Sequence, residues 1–354
     1  MKLITKYLLT KYLKYFFIIL LSLELFFIGF DFLQYGDSLP SSANLQLLYI
    51  LYNGFFILTI TLPLSIIFAW IVTLTFLIKE NTLISFYALG SSKKVVLFPI
   101  MMISILLTST LILFQNTDLA YAVEQKNKIL ENKFFVNEKS NILLKYNNNF
   151  VYFQKLYPLE KKAENIKIFK LENGKLVETI LAKTAYYEDN RWHVEDATII
   201  SKSEIISWDT SKINTRHEKS LYTLDGFKPE IINNVYKAKI EYSVSDAYYT
   251  IKLFEKQKLN TDKIRAILYS KIFTPFMVVA LIVLVFAYSG ISGRFFKAGQ
   301  FISITILVSL GTWGVFFLLQ KIATADLLVP EIALLLPIIL LFIYSFIVYK
   351  KRIA

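Results

Sequence analysis

No cysteine occurs anywhere in the chain, which excludes a disulfide framework, a thiol nucleophile and a zinc–cysteine site in any compartment. Histidine is almost as scarce. His193 and His217 are the only two; they lie apart in sequence and outside any H-E-x-x-H frame, so neither a metal site nor histidine-based nucleophilic catalysis is expected. A histidine beside Trp192 reads instead as part of a strand surface. There is no G-x-x-x-x-G-K-[ST] phosphate loop, so the chain does not power itself with ATP, and no cofactor is expected. Charge is sparse as well. Only 19% of the 354 residues are charged, against 55% hydrophobic and 16% aromatic, the balance of an integral membrane protein.

Six apolar runs are long enough to cross a bilayer. The first is Tyr15 to Phe30, with Lys2, Lys6, Lys11 and Lys14 on a segment expected to begin the same helix. A basic start, an apolar stretch and Ser41-Ser42-Ala43 follow in the order of a signal peptide, but the run is too long for an h-region and the chain returns directly to the membrane. The second run, Leu47 to Ile78, has no charged residue over 32 positions, and Pro63 is expected to kink it. Val95 to Phe114 is the third. Three more close the chain, Ile272 to Ile291, Phe301 to Gln320 and Leu327 to Tyr349.

Between the third and fourth runs the character changes. Short strand-like stretches appear at Phe150 to Leu156, Ile166 to Leu171, Leu176 to Leu181, Arg191 to Ile200 and Ile205 to Trp208, and the Asn173-Gly174 pair favours a type I′ hairpin turn. The expected fold is therefore an α-helical membrane protein of six transmembrane helices with an inserted all-β domain, of a size suited to a sandwich or jelly roll. Residues 1–123 hold spans one to three, 124–245 the β domain, and 246–354 a return segment and spans four to six.

Orientation follows from counting. Lys2, Lys6, Lys11, Lys14, Lys79, Lys93, Lys94, Arg294, Lys297, Lys350, Lys351 and Arg352, twelve basic residues, fall on one side, while the short loops opposite hold only Lys321. By the positive-inside rule both termini are expected in the cytoplasm and the β domain outside. The formal charge of +12 is thus mostly topology, and no nucleic-acid partner is expected.

The loop from Lys79 to Lys94, KENTLISFYALGSSKK, reads as a short helix at about 81–90. Leu83, Phe86, Tyr87 and Gly90 share one helix face, Asn81 or Thr82 stands where a cap belongs, and Gly90 suits a left-handed end. One reading is a plain connector anchored by lysines. The other is a docking helix, because a water-exposed connector has no reason to carry Leu83, Ile84, Phe86, Tyr87 and Leu89. Within the spans, Glu24 lies at the middle of the first, where a central carboxylate costs roughly 2.5 to 3.5 kcal/mol; it faces either a polar cavity or a contact inside the bundle. Asp31 stands at the headgroup level, and Lys271 suits either snorkelling or an anionic headgroup. Ser303, Thr305, Ser309, Gly311, Thr312 and Gly314 give the fifth span a small-residue stripe.

Three spans, an exported β domain and three spans, with an apolar helix after span two, resemble the permease family of the lipopolysaccharide export complex, LptF and LptG. Ala88-Leu89-Gly90 in the segment Glu80 to Val95 is similar to the family's coupling helix, Phe150-Val151-Tyr152-Phe153 to the first strand of its periplasmic domain, Ser270-Lys271-Ile272-Phe273 with Pro275 to the start of its fourth span, and Gly293-Arg294 with Gly299 to its next cytoplasmic turn. Phe150 to Phe153 and Ser270 to Phe273 lean toward the G type. The family's coupling-helix acid aligns with Thr82, whereas the acid here is Glu80, and Gly29 and Asp31 stand where the family often has a basic residue.

The resemblance implies an inner-membrane permease subunit without its own nucleotide site. It would pair with a second homologous permease, two copies of a cytoplasmic ABC ATPase and a periplasmic jelly-roll bridge, and move lipopolysaccharide from a cavity beside spans one and five. Glu80, Thr82, Leu83, Ile84, Phe86, Tyr87, Leu89 and Gly90 are the expected ATPase-docking set, and Glu24, Asp31, Lys271, Ser309 and Gly311 the lipid-cavity candidates. Two alternatives stand beside this one: a mechanotransmitting permease that acts on an external partner without moving lipid, and a non-transport membrane scaffold.

Overall fold

A computed structural model of the chain describes residues 2–131, 139–147, 149–157, 160–172, 175–202, 213–228, 241–256 and 259–353. It divides into two compact units, one of residues 1–130, 242–251 and 260–354, the other of residues 131–241 and 252–259.

Among the described residues, the first unit holds six helical segments long and apolar enough to cross a membrane. Helix α1, Lys2–Tyr35, takes in the lysine-bearing segment expected to start it. Helix α2, Ala43–Lys79, is continuous through Pro63; at about 1.5 Å per residue its 37 residues outreach a hydrocarbon layer of about 30 Å. A short helix α3, Thr82–Ala88, precedes α4, Lys93–Phe114, and a shorter polar helix α5, Ala122–Leu130, follows it. After the second unit come α6, Val244–Lys256, and a fourth span made of two pieces, α7, Asp262–Ile272, and α8, Met277–Ala287. A tight turn at Thr274–Phe276 separates them, where Pro275 has no N–H to give to a continuous helix. The last two spans are α9, Ala298–Thr324, and a π-helical turn at Glu331–Leu335 running into α10, Leu336–Arg352.

The fourth span starts ten residues before the expected Ile272 because its first turns are polar. Arg265 there is compensated by Glu331 at 2.6 Å and by Asp262, and Tyr269 donates to the same Glu331 at 3.0 Å. The charges that break the apolar run thus neutralise one another, although Arg265 Nε and Glu331 Oε2 stay buried without a hydrogen-bond partner among the described residues.

Helix α2 is the centre of the bundle. It is apolar all round, as a helix enclosed by others must be, and Ile66, Trp70, Ile71, Leu74, Leu77 and Ile78 are fully buried. Two polar side chains fix its neighbours. The Tyr12 phenol of α1 donates to Ile66 O at 3.1 Å and lies 3.2 Å from Ser104 Oγ of α4, and the Trp70 indole N–H donates to Ile282 O of α8 at 3.2 Å.

The second unit is a six-stranded antiparallel sheet in sequential order: β1 Lys139–Tyr146, β2 Asn149–Tyr157, β3 Lys162–Glu172, β4 Lys175–Glu188, β5 Arg191–Lys202 and β6 Ile213–Thr223. Four of the expected strands lie inside β2 to β5. Ile205 to Trp208 and the Asn173-Gly174 turn fall outside the described residues, although Glu172 and Lys175 on either side of that turn are paired. A two-residue turn does join β4 to β5, with Asp189 and Asn190 both at positive φ, the backbone of a type I′ hairpin.

Along β2 to β5 the inward residues alternate, but the frame changes once. Phe153 and Leu156 are buried in β2, Ala163 and Ile166 in β3, Ala182 and Ala185 in β4, Val194 and Ala197 in β5, each a step of three where the pleat demands two. The steps lie on one line across the sheet, since Lys155 pairs with Glu164, Glu164 with Thr184 and Thr184 with Glu195. Beside that line Asn141, Asn165 and Asp196 hold left-handed φ values of 57°, 51° and 50°. The sheet is creased there and folds over, with β1 and β6 at its edges. Phe153 of β2 meets Trp192 of β5 with ring centroids 5.3 Å apart, whereas three strand spacings on a flat sheet would separate them by about 14 Å.

Candidate functional site

Within the loop from residue 79 to 94, Thr82–Ala88 folds as a helix with a well-formed C-terminal end and a divided surface. Gly90 is left-handed at φ 78°; Gly90 N–H donates to Tyr87 O at 3.0 Å and Ser91 N–H to Phe86 O at 3.0 Å, the paired bonds of a Schellman end. Asn81 stands before the helix, also left-handed, but does not cap it with its side chain. Its Oδ1 accepts from Gly293 N–H at 3.0 Å instead, tying the start of α3 to the turn between α8 and α9.

The expected docking residues separate by burial. Leu83 is buried in the bundle core, and Phe86 and Tyr87 are half-buried against it, Phe86 edge-on to the Tyr7 ring of α1 at 6.2 Å. Burial pushes the Tyr87 phenol up to about 12. Ile84, Ser85, Ala88, Leu89 and Gly90 form the exposed face, with Leu89 at 79% exposure the most open. Thr82 is half-buried, and no acid lies in the first turn of α3. Glu80 is outside the helix, and its carboxylate accepts from Lys11 Nζ at 2.6 Å. The helix therefore roots in the chain by one apolar stripe and presents a second.

The lipid-cavity candidates do not converge on one point. Glu24, half-buried in α1, accepts from the Thr61 hydroxyl of α2. Asp31 is held inside the chain: Oδ1 accepts from Tyr49 at 2.6 Å and Oδ2 pairs with Lys126 at 2.5 Å. Lys271 lies in the last turn of α7. The Ser309 hydroxyl is buried and donates to Thr305 O at 2.7 Å, while a Cβ at Gly311 would meet nothing within 4 Å.

Lys126 is a residue that pattern reading passed over. Its ammonium also donates to Asn53 at 2.9 Å and lies 5.5 Å from the Tyr35 ring, 5.5 Å from Tyr49 and 5.9 Å from Phe56. A signal was present. Ala122, Lys126 and Ile129 are the buried positions of α5, so the lysine occupies a place in the i, i+4, i+7 stripe that normally takes an apolar residue.

The spans differ sharply in how much of themselves the chain covers. Within the most apolar 18 residues, α2 is buried over 61%, but α1 over only 6% and α9 over 11%. Two spans thus leave their apolar surfaces for something other than this chain. A family model described as lipopolysaccharide export system permease LptF/LptG matches residues 6–351. No curated protein matches the sequence.

Proposed function

From the premise that this chain, matched from residue 6 to residue 351, belongs to the LptF/LptG family of lipopolysaccharide export permeases, we propose that it is the membrane lever of an ATP-driven lipid extractor. A second homologous permease lies against α1 and α9, and lipopolysaccharide enters the cavity between the two from the outer leaflet of the inner membrane. Both termini and α3 are cytoplasmic, by the excess of basic residues on that side; the creased sheet is periplasmic and hands lipid to a jelly-roll bridge.

The observation that carries this reading beyond the family match is the uncovered state of α1 and α9. Force enters at α3. Ile84 and Leu89 sit in a groove of the cytoplasmic ABC ATPase, and Leu83, rooted in the core beside α2, carries the displacement of that groove into the spans. Tight packing makes such transfer efficient, because interiors deform little. With the Glu80 carboxylate on Lys11, the docking face is apolar rather than salt-bridged.

Purification from the native membrane in mild detergent, with every co-purifying protein and lipid identified by mass, tests this. An ABC ATPase, a second six-span permease and lipopolysaccharide are expected together. The ATPase without lipid would favour a mechanotransmitting permease; recovery of neither the ATPase nor lipopolysaccharide would overturn the proposal.

A further inference from the structure

A groove of about 380 Å³ opens on the bundle between α4, α8 and α10, within the size range of lipid and small-molecule sites, roughly 300 to 1,000 Å³. Its walls come from Lys94, Phe98 and Met101 of α4 and from Phe342, Phe346 and Tyr349 of α10. Val279 and Val283 of α8 floor it. The hydroxyl of Ser345, which also reaches the floor, is spent on Ala280 O at 3.2 Å, so the floor offers apolar surface only.

One end of the groove is basic. Lys93 Nζ donates to Arg352 O at 2.5 Å and joins α4 to the end of α10, while Lys94 stands exposed at the mouth without an ion pair among the described residues. From Lys94 to Met101, and from Phe342 to Tyr349, each wall rises through seven steps, about 10 Å at 1.5 Å per residue. That is a third of a hydrocarbon layer of about 30 Å. A single lipid chain from one leaflet matches a groove of that length.

We propose that this groove holds an acyl chain of an anionic glycerophospholipid, with its headgroup phosphate on the Lys94 ammonium. The site is separate from α1 and α9 and does not depend on how lipopolysaccharide moves. Exposed Phe98 and Phe346 close over the chain from either side.

The test is native mass spectrometry of the full chain, delipidated in detergent and titrated with phosphatidylglycerol or phosphatidylethanolamine of the same acyl composition. One tightly retained phosphatidylglycerol is expected, preferred over phosphatidylethanolamine by about five-fold for a single lysine near a phosphate. Lys94→Gln should cut the preference by about that factor while leaving chain binding, with Lys350, whose ammonium lies 5.0 Å from the Phe346 ring, holding what remains. Phe98→Ala with Phe346→Ala, two exposed positions that the core does not need, should weaken both lipids alike. Equal retention of the two lipids by the wild-type chain would overturn the proposal. So would displacement of phosphatidylglycerol by equimolar lipid A, which would make the groove a site for the exported lipid, or phosphatidylglycerol binding unchanged in both variants.

Discussion

Asn81 Oδ1 accepts the N–H of Gly293 at 3.0 Å across 212 positions of sequence. The contact needs both residues as they are. Asn81 holds φ at 56°, a conformation that asparagine tolerates better than most residues, and a Cβ at position 293 would approach Ile78 O to 2.9 Å. Asn81→Ala should therefore cost about 1 kcal/mol for the hydrogen bond and about 1 to 2 for the left-handed backbone. Asn81→Gly should lose only the first. Gly293→Ala should also destabilise, because the atom it meets is backbone. Thermal unfolding of the purified protein in detergent checks the order.

The division of α3 gives opposite outcomes for neighbouring leucines. Leu89→Asp, on the exposed face, should release the ATPase while leaving the protein inserted and its unfolding temperature unchanged. Leu83→Asp should lower stability, since it buries a carboxylate in the core. Phe86→Asp should do some of both. Co-purification of the ATPase alongside a melting curve separates them, and normal ATPase retention in Leu89→Asp would sink the docking claim.

Glu80 is half exposed in its pair with Lys11. An exposed ion pair contributes about 0 to 1 kcal/mol, so Glu80→Gln should shift stability by less than that and less still at high salt. ATPase binding should survive. A large loss of binding would show that the acid reaches the partner after all.

The Lys126–Asp31 pair is another matter, because both side chains are largely buried. Lys126→Met leaves the Asp31 carboxylate without its cation and should cost about 3 to 5 kcal/mol. Adding Asp31→Asn should recover part of this, since no buried charge then remains and Tyr49 keeps an acceptor. A double-mutant cycle on unfolding midpoints measures the recovery; simple additivity would mean that the pair is not coupled.

At the crease of the sheet, Asn165→Val should be worse than Asn165→Gly. A β-branched residue at φ near 51° is strained, whereas glycine accepts that φ freely. Denaturant-dependent hydrogen exchange of the strand amides in the full chain, resolved by peptide, reports the difference.

Much of the bundle was legible from residues alone, since runs such as Leu47 to Ile78 admit no other reading. The start of the fourth span was not, because Arg265 interrupts the hydropathy while its neutralising partner, Glu331, lies 66 residues away. On α3, spacing put Leu83, Phe86, Tyr87 and Gly90 on one face; the first three share it, but Gly90 lies past the helix end on the exposed side, and spacing could not say which face the chain would keep for itself. The crease escaped for a different reason. Asn165 and Asp196 look like breaks in a strand pattern, and only register shows that they fall in line.

That line has a consequence for how the sheet changes length. All four strands from β2 to β5 exchange their inner and outer faces at the same height, so every ladder partner keeps its place through the bend. A residue inserted into one strand alone would set that strand against both neighbours from the insertion to the next turn. The number of rungs on either side of the fold line is therefore a property held in common by the strands, to be altered in all of them at once or in none.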